Sequence, residues 1–185
     1  MENKYKSVES LIEDAIVDLK RTRTNRISKS ERFKSYNTKW NILFFITNTV
    51  TIIAILVTYT KMEASELSIF ITNSLSIYLI LLQYFLSTLD YSARALKLHY
   101  EQLEINELRM QLKLLLVSER PDKAIEFRHL FEKYSISLKN NENHDAYDDN
   151  NRDKKCDMTS DNIFLNFNSI IIFIIIGLFI ISILL

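Results

Sequence analysis

The sequence predicts an all-α membrane protein: a two-span transmembrane hairpin with a cytosolic helical bundle plus a C-terminal third transmembrane helix. Three observations carry this. First, Trp40–Tyr59, Leu67–Leu89 and Ile163–Leu185 are apolar runs that contain no Lys, Arg, Asp or Glu. Each has about 20 residues or more, enough for a helix to cross a hydrocarbon core of about 30 Å. Second, Gly and Pro occur once each, as Gly177 and Pro121. Tight turns and phosphate-cradling loops depend on glycine, so dinucleotide and P-loop architectures are excluded. Third, the polar stretches repeat their apolar residues every three or four positions, which is the helical period.

The runs divide the chain. Residues 1–39 read as a cytosolic amphipathic and basic helix, and 40–89 as the hairpin, with spans 40–59 and 67–89. Residues 90–138 read as cytosolic helices, 139–162 as a polar tether rich in Asn and Asp, and 163–185 as the third span. More than a third of the chain goes into lipid. The rest is too short for a sizeable independent core and has to pack on itself, on the membrane or on copies of the same chain. The first 39 residues are too polar for a secretory signal, so the first apolar run is a retained span. Cys156 is the only cysteine, which excludes an intrachain disulfide and fits a reducing side.

Charge sets the orientation. Net charge is zero, yet Lys20–Lys39 holds eight basic residues against the single acidic Glu31. Lys61 is the only basic residue of the turn Thr60–Glu66, beside Glu63 and Glu66, whereas Arg94, Lys97 and Arg109 follow span two and Arg152, Lys154 and Lys155 precede span three. Basic flanks stay cytoplasmic. The expected placement is the inner membrane, multi-pass, with the N-terminus cytoplasmic and the C-terminus at the outer face. Trp40 and Tyr59 occupy the two interfacial ends of span one.

Within the polar parts, Val8, Leu11, Ile12, Ala15, Ile16 and Leu19 mark an amphipathic helix over Tyr5–Leu19. Arg21–Lys39 continues it as a basic helix at the membrane surface. Aromatic residues are not interleaved there as a nucleic-acid stacking surface requires, so direct nucleic-acid binding is not expected. Span two is expected to run on into the cytosol as one long helix. Leu96, Tyr100, Leu103, Met110, Leu114 and Val117 alternate along it at coiled-coil spacing, flawed at Glu107, and form a candidate assembly seam that needs a partner. That partner is the N-terminal helix, the next helix or a second subunit. Pro121 marks a new start, with Ser118 as its cap, and Asp122–Leu138 is amphipathic through Ile125, Leu130, Phe131, Tyr134 and Leu138. The tether lacks branched apolar residues and reads as disordered.

Polar residues in the spans fall on single helix faces: Asn41, Asn48, Thr51 and Thr58 in span one, and Asn73, Ser76, Gln83 and Ser87 in span two. Such side chains are costly in lipid and face a bundle interior or water. Two readings stay open, a pore lining or an interhelical hydrogen-bond seam. Both require association, so a homo-oligomer in the lipid bilayer is expected. Asp148, Asp149 and Asp153 lack the Gly and terminal Glu of a calcium loop. His99, His129 and His144 are dispersed, and Cys156 has no partner cysteine for zinc. No metal, cofactor or catalytic residue is expected, and no enzyme activity.

The order of these parts resembles a known family. A basic helix carries Arg21-Thr-Arg-Thr-Asn25-Arg26 and Arg32-Phe33-Lys34-Ser35-Tyr36. A tight hairpin follows, then a long helix opening Asp90-Tyr91-Ser92-Ala93-Arg94-Ala95, then Tyr134 and Glu142-Asn143-His144-Asp145-Ala146-Tyr147-Asp148. Over about Ser7–Asp149 this is similar to the SLATT proteins, the SMODS- and SLOG-associating two-transmembrane effectors of bacterial conflict and antiphage systems. The resemblance implies an effector that oligomerises and opens a pore or damages the membrane once infection is sensed. It also implies a separate sensor protein, linked to a nucleotide signal or to reverse transcriptase, because no nucleotide-sensing domain is appended. Tyr134, Glu142, Asn143, His144 and Asp148 are the motif residues, expected to pin the cytosolic helices or to sense a ligand. The third span departs from the two-span pattern, where it plugs, anchors or joins the pore. The competing reading is a non-conducting, membrane-anchored adaptor that recruits a cytosolic partner.

Overall fold

The computed structural model describes residues 7–60, 65–139, 146–148 and 159–184. Tyr5, Glu142, Asn143, His144, Asp149, Asp153 and Cys156, singled out above, lie outside them, as does the side chain of Leu138. The described residues form helices α1 (Val8–Thr60), α2 (Glu66–Leu89), α3 (Tyr91–Val117), α4 (Lys123–Lys139) and α5 (Ser160–Leu184), with a 3₁₀ turn at Ala146–Asp148. No strand occurs among them.

The helix ends follow from local chemistry. Ser7 opens α1 by accepting the Ser10 amide on its Oγ (3.2 Å). The basic stretch then continues into span one with no break, as its lack of Gly and Pro requires. Ser65 caps α2 in the same way, from the Ser68 amide at 3.2 Å, and Glu66 places a carboxylate at the positive end of the helix dipole. Thr159 caps α5 from the Asn162 amide.

Two expectations fail here. Span two does not run on as one helix, because Asp90 adopts the left-handed conformation (φ 41°, ψ 54°) and separates α2 from α3. Asp is one of the few residues that tolerate it. Ser118 does not cap α4. It closes α3, its amide and hydroxyl both donating to the Leu115 carbonyl, while the Asp122 carbonyl receives the first α4 amides from Ile125 and Glu126.

The chain divides into two compact units. The first comprises residues 1–32 and 93–156, the second 33–92 and 157–185. In the first unit Ile12, Ala15 and Leu19 of α1 pack with Ile105, Leu108, Leu112 and Leu115 of α3 and with Leu130 of α4. Phe127 and Tyr134 close over that core. Of the apolar residues expected to bury α4, Leu130 and Tyr134 meet the core, whereas Ile125 and Phe131 are exposed.

The second unit holds three helices long and apolar enough to cross a membrane. In α1 the inward face is Phe33, Tyr36, Trp40, Phe44, Thr47, Thr51, Ala54 and Thr58. In α2 it is Ser68, Thr72, Leu75, Leu79, Leu82 and Leu86, and in α5 Leu165, Asn168, Ile172 and Phe179. The three-and-four spacing is that of knobs packing into holes.

These placements separate two neighbouring leucines. Leu112 is 2% exposed and Leu114 is 66% exposed. Leu112→Ala should cost about 2–5 kcal/mol through the cavity it leaves. Leu114→Ala should stay within about 0.5 kcal/mol in the single chain. Thermal unfolding of the purified protein in detergent, followed by circular dichroism, measures both.

Candidate functional site

The polar residues of the spans do not share one surroundings. In span one, Thr51 and Thr58 are buried, Asn48 is half-buried and Asn41 is exposed. The buried hydroxyls are satisfied within their own helix. Thr47 donates to the Leu43 carbonyl at 2.6 Å, Thr51 to Thr47 at 2.8 Å and Thr58 to Ala54 at 2.8 Å. Thr72 of α2 does the same toward Ser68 at 2.8 Å. A back-bonded threonine presents its methyl group to the neighbouring helix. These internally bonded side chains lie on the inward face of the unit.

Span two differs. Ser76 is half-buried and back-bonded to Thr72. Asn73, Gln83 and Ser87 lie on the outer surface of the unit. Ser87 donates to the Tyr84 carbonyl at 2.7 Å. Among the described residues the Asn73 and Gln83 amides have no hydrogen-bond partner. An amide moved from water to hydrocarbon without one costs about 4–8 kcal/mol on the cyclohexane scale.

The third span is built into the second unit. The Tyr78 hydroxyl donates to Asn168 Oδ1 at 2.6 Å, and Asn168 Nδ2 donates to the Phe164 carbonyl at 2.7 Å, so both ends of the buried amide are bonded. Phe164 makes tilted ring contacts with Trp40 and Phe85, with ring centroids 5.8 and 5.4 Å away. Tyr91 donates to Asp161 at 2.8 Å, and the Tyr36 hydroxyl bonds Thr159. These bonds tie both ends of the hairpin to the first turns of α5.

The first unit holds charge where the sequence suggested a surface. Arg26 and Lys29, expected to lie on headgroups, are 4% and 3% exposed. Arg26 pairs with Glu101, and Ser30 Oγ donates to the Ala95 carbonyl at 2.8 Å. Asn25 and Gln102 are buried in the same unit. The signal was present in the sequence. The steps Ile12, Ala15, Leu19, Thr22, Arg26, Lys29, Phe33 keep the apolar rhythm across the basic run, so these cations stand on the inward face.

Asp148 lies in the segment expected to be disordered, yet it is buried. It accepts from Arg32 Nε at 3.0 Å and from Nη2 at 2.8 Å, a two-point grip, and the Tyr147 ring lies under the guanidinium at 5.6 Å. Tyr134 lies between two hollows. One, of about 280 Å³, is lined by Glu104, Glu107, Gln111 and Lys133, and the other, of about 440 Å³, by Asp18, Arg21, Thr22 and Asn25. The seam residues Leu96, Tyr100, Leu103, Met110, Leu114 and Val117 are all exposed, 47–77%, because α3 packs through its opposite face. Among the described residues no His, Cys, Asp and Glu cluster of metal-binding geometry occurs.

The family profile of the SMODS and SLOG-associating 2TM effector domain, family 5, matches residues 8–185. The chain belongs to that family. The match covers nearly the full chain and includes α5, so the third apolar helix lies within SLATT family 5 and not outside its pattern. As a SLATT protein the chain is a membrane effector domain of conflict systems. Nothing among curated proteins or solved structures matches it significantly.

The Arg32–Asp148 grip gives a direct test in this SLATT chain. Removing one partner of a buried ion pair costs about 3–5 kcal/mol because the other charge is left uncompensated. Asp148→Ala should therefore destabilise the first unit more than Tyr147→Ala. Thermal unfolding combined with limited proteolysis reports it.

Proposed function

We propose that the protein oligomerises in the bacterial inner membrane and opens a conducting path there when a separate sensor protein reports infection. The observation that carries this reading is the unpartnered amide face of α2. Asn73 and Gln83 turn outward from their own unit with no hydrogen-bond partner among the described residues. In lipid such a face is stable against another copy or against water. Several copies arranged around one axis supply both at once: amide-to-amide bonds between copies in a resting assembly, and a wetted wall in an open one. Asn73, Gln83 and Ser87 are then the core of the path. Asn41 and Asn48 of span one flank it, while Ser76, Thr51 and Thr58 support it from the packed side.

The cytosolic stripe Leu96–Val117 is the assembly surface that draws copies together. Basic flanks place the N-terminus in the cytoplasm and the C-terminus at the outer face. Tyr134, Glu142, Asn143, His144 and Asp148 act structurally in this scheme, the grip of Arg32 on Asp148 holding the 3₁₀ turn to α1.

The exposed apolar stripe on α3 also favours a second reading, a non-conducting adaptor that recruits a cytosolic partner through that stripe. The two separate in one experiment. Cells are induced for the wild type and for Asn73→Leu/Gln83→Leu at matched membrane abundance, with genomic neighbours and phage present. Membrane potential and dye entry are then followed. The wild type should depolarise the cells, and the variant should lose most of that effect. Wild-type cells that keep their potential would leave the adaptor reading in its place.

A further inference from the structure

The exposed face of α3 has a definable complement. Leu96, Tyr100, Leu103, Glu107, Met110, Leu114 and Val117 follow strict four-then-three steps. The line is about 30 Å long at the rise of an α-helix. The chain's own α1 and α4 already occupy the opposite face, through Ile105, Leu108, Leu112 and Leu115. Residues 140–158 contain no Leu, Ile, Val or Phe with which to cover it. A heptad stripe is filled by a helix of the same period, and the helix that carries one is α3 of a second copy.

The residues that flank the stripe argue for a parallel pair. In a parallel pair each core residue meets its own counterpart, and flanking residues meet across adjacent heptads. His99 of one copy then faces Glu104 of the other, and Asn106 faces Gln111. No flanking pair brings like charges together. One core layer does: Glu107 meets Glu107. In the single chain Gln111 Nε2 donates to the Glu107 carboxylate at 3.3 Å. Glu104, Lys133 and Tyr134 line the same hollow, and among the described residues Glu107 forms no ion pair.

We propose that two copies pair in parallel and in register along Leu96–Val117, and that the Glu107 layer keeps this pairing reversible. A single polar core position fixes register at a cost in stability. Here the cost is repulsion between two carboxylates, which holds the assembly near its threshold until activation. This inference rests on the assembly surface proposed above and adds its geometry and its brake.

The test uses the full-length chain in native membranes with Cys156→Ser. Single cysteines are placed at Leu96, Leu103, Met110 and Val117, and at exposed His129 of α4 for comparison. Oxidation should give homodimers at all four α3 positions and little at His129. Cross-linking at one α3 position alone means antiparallel pairing and overturns the register. Equal yield at His129, or none on α3, overturns the surface. In the Leu103→Cys background, Glu107→Leu should raise the cross-linked fraction several-fold and Glu107→Gln should raise it less. An unchanged or lower fraction, with thermal unfolding unaltered, removes the brake. If depolarisation still depends on Asn73 and Gln83 while α3 fails to cross-link, the proposed function stands and this inference falls.

Discussion

One helix face organises the molecule. In α1 the inward residues step by three and four from Ile12 through Leu19, Arg26, Lys29, Phe33, Trp40, Thr47 and Thr51 to Thr58. The rhythm slips once, where Tyr36, Trp40 and Phe44 follow at two successive steps of four. An inserted four-residue step locally unwinds such a repeat. The same helix thus supplies the inward surface of both units. It does so with three chemistries in turn: aliphatic in the first unit, charged and then aromatic along the middle, and hydroxyl-bearing toward Thr60. Each chemistry finds its own partners, while Asn25 Nδ2 and Trp40 Nε1 are buried without a hydrogen bond among the described residues. Leucines bury area, Arg26 and Arg32 find carboxylates on α3 and on the 3₁₀ turn, and the threonines bond their own backbone.

What the inward faces leave outside is informative. α2 buries Leu75, Leu79 and Leu82 and leaves Asn73 and Gln83 on the surface, and α3 buries Leu108 and Leu112 and leaves Met110 and Leu114 there. The second unit exposes amides on a helix apolar enough to cross a membrane, where hydrocarbon penalises them, and the first unit exposes leucines on α3. In the proposed assembly a second molecule of the same chain would relieve both.

Much of this was legible before the structure. Apolar runs without charge gave the spans, and the scarcity of Gly and Pro gave the helices. The α3 stripe was visible as a seam in want of a partner. What sequence periodicity does not contain is the neighbour that each face meets. It groups Asn73 with Gln83 and Thr51 with Thr58 without saying that one pair turns outward and the other inward. The break at Asp90 had no Gly or Pro to announce it. The buried positions of Arg26 and Lys29 were masked by their charge, although their spacing continued that of Ile12 and Leu19. Asp148 sat in a polar stretch where nothing local distinguishes a gripped carboxylate from a solvated one.

The account stands or falls on whether the outward face of α2 meets water between copies. Its most direct measurement is thiol accessibility in membranes of activated cells, using Cys156→Ser chains with one cysteine at Gln83 or at Leu79. A charged, membrane-impermeant thiol reagent should modify Gln83→Cys and block the current while sparing the buried Leu79→Cys. A Gln83→Cys chain that depolarises cells yet stays inert to the reagent would place that face against lipid and contradict the account.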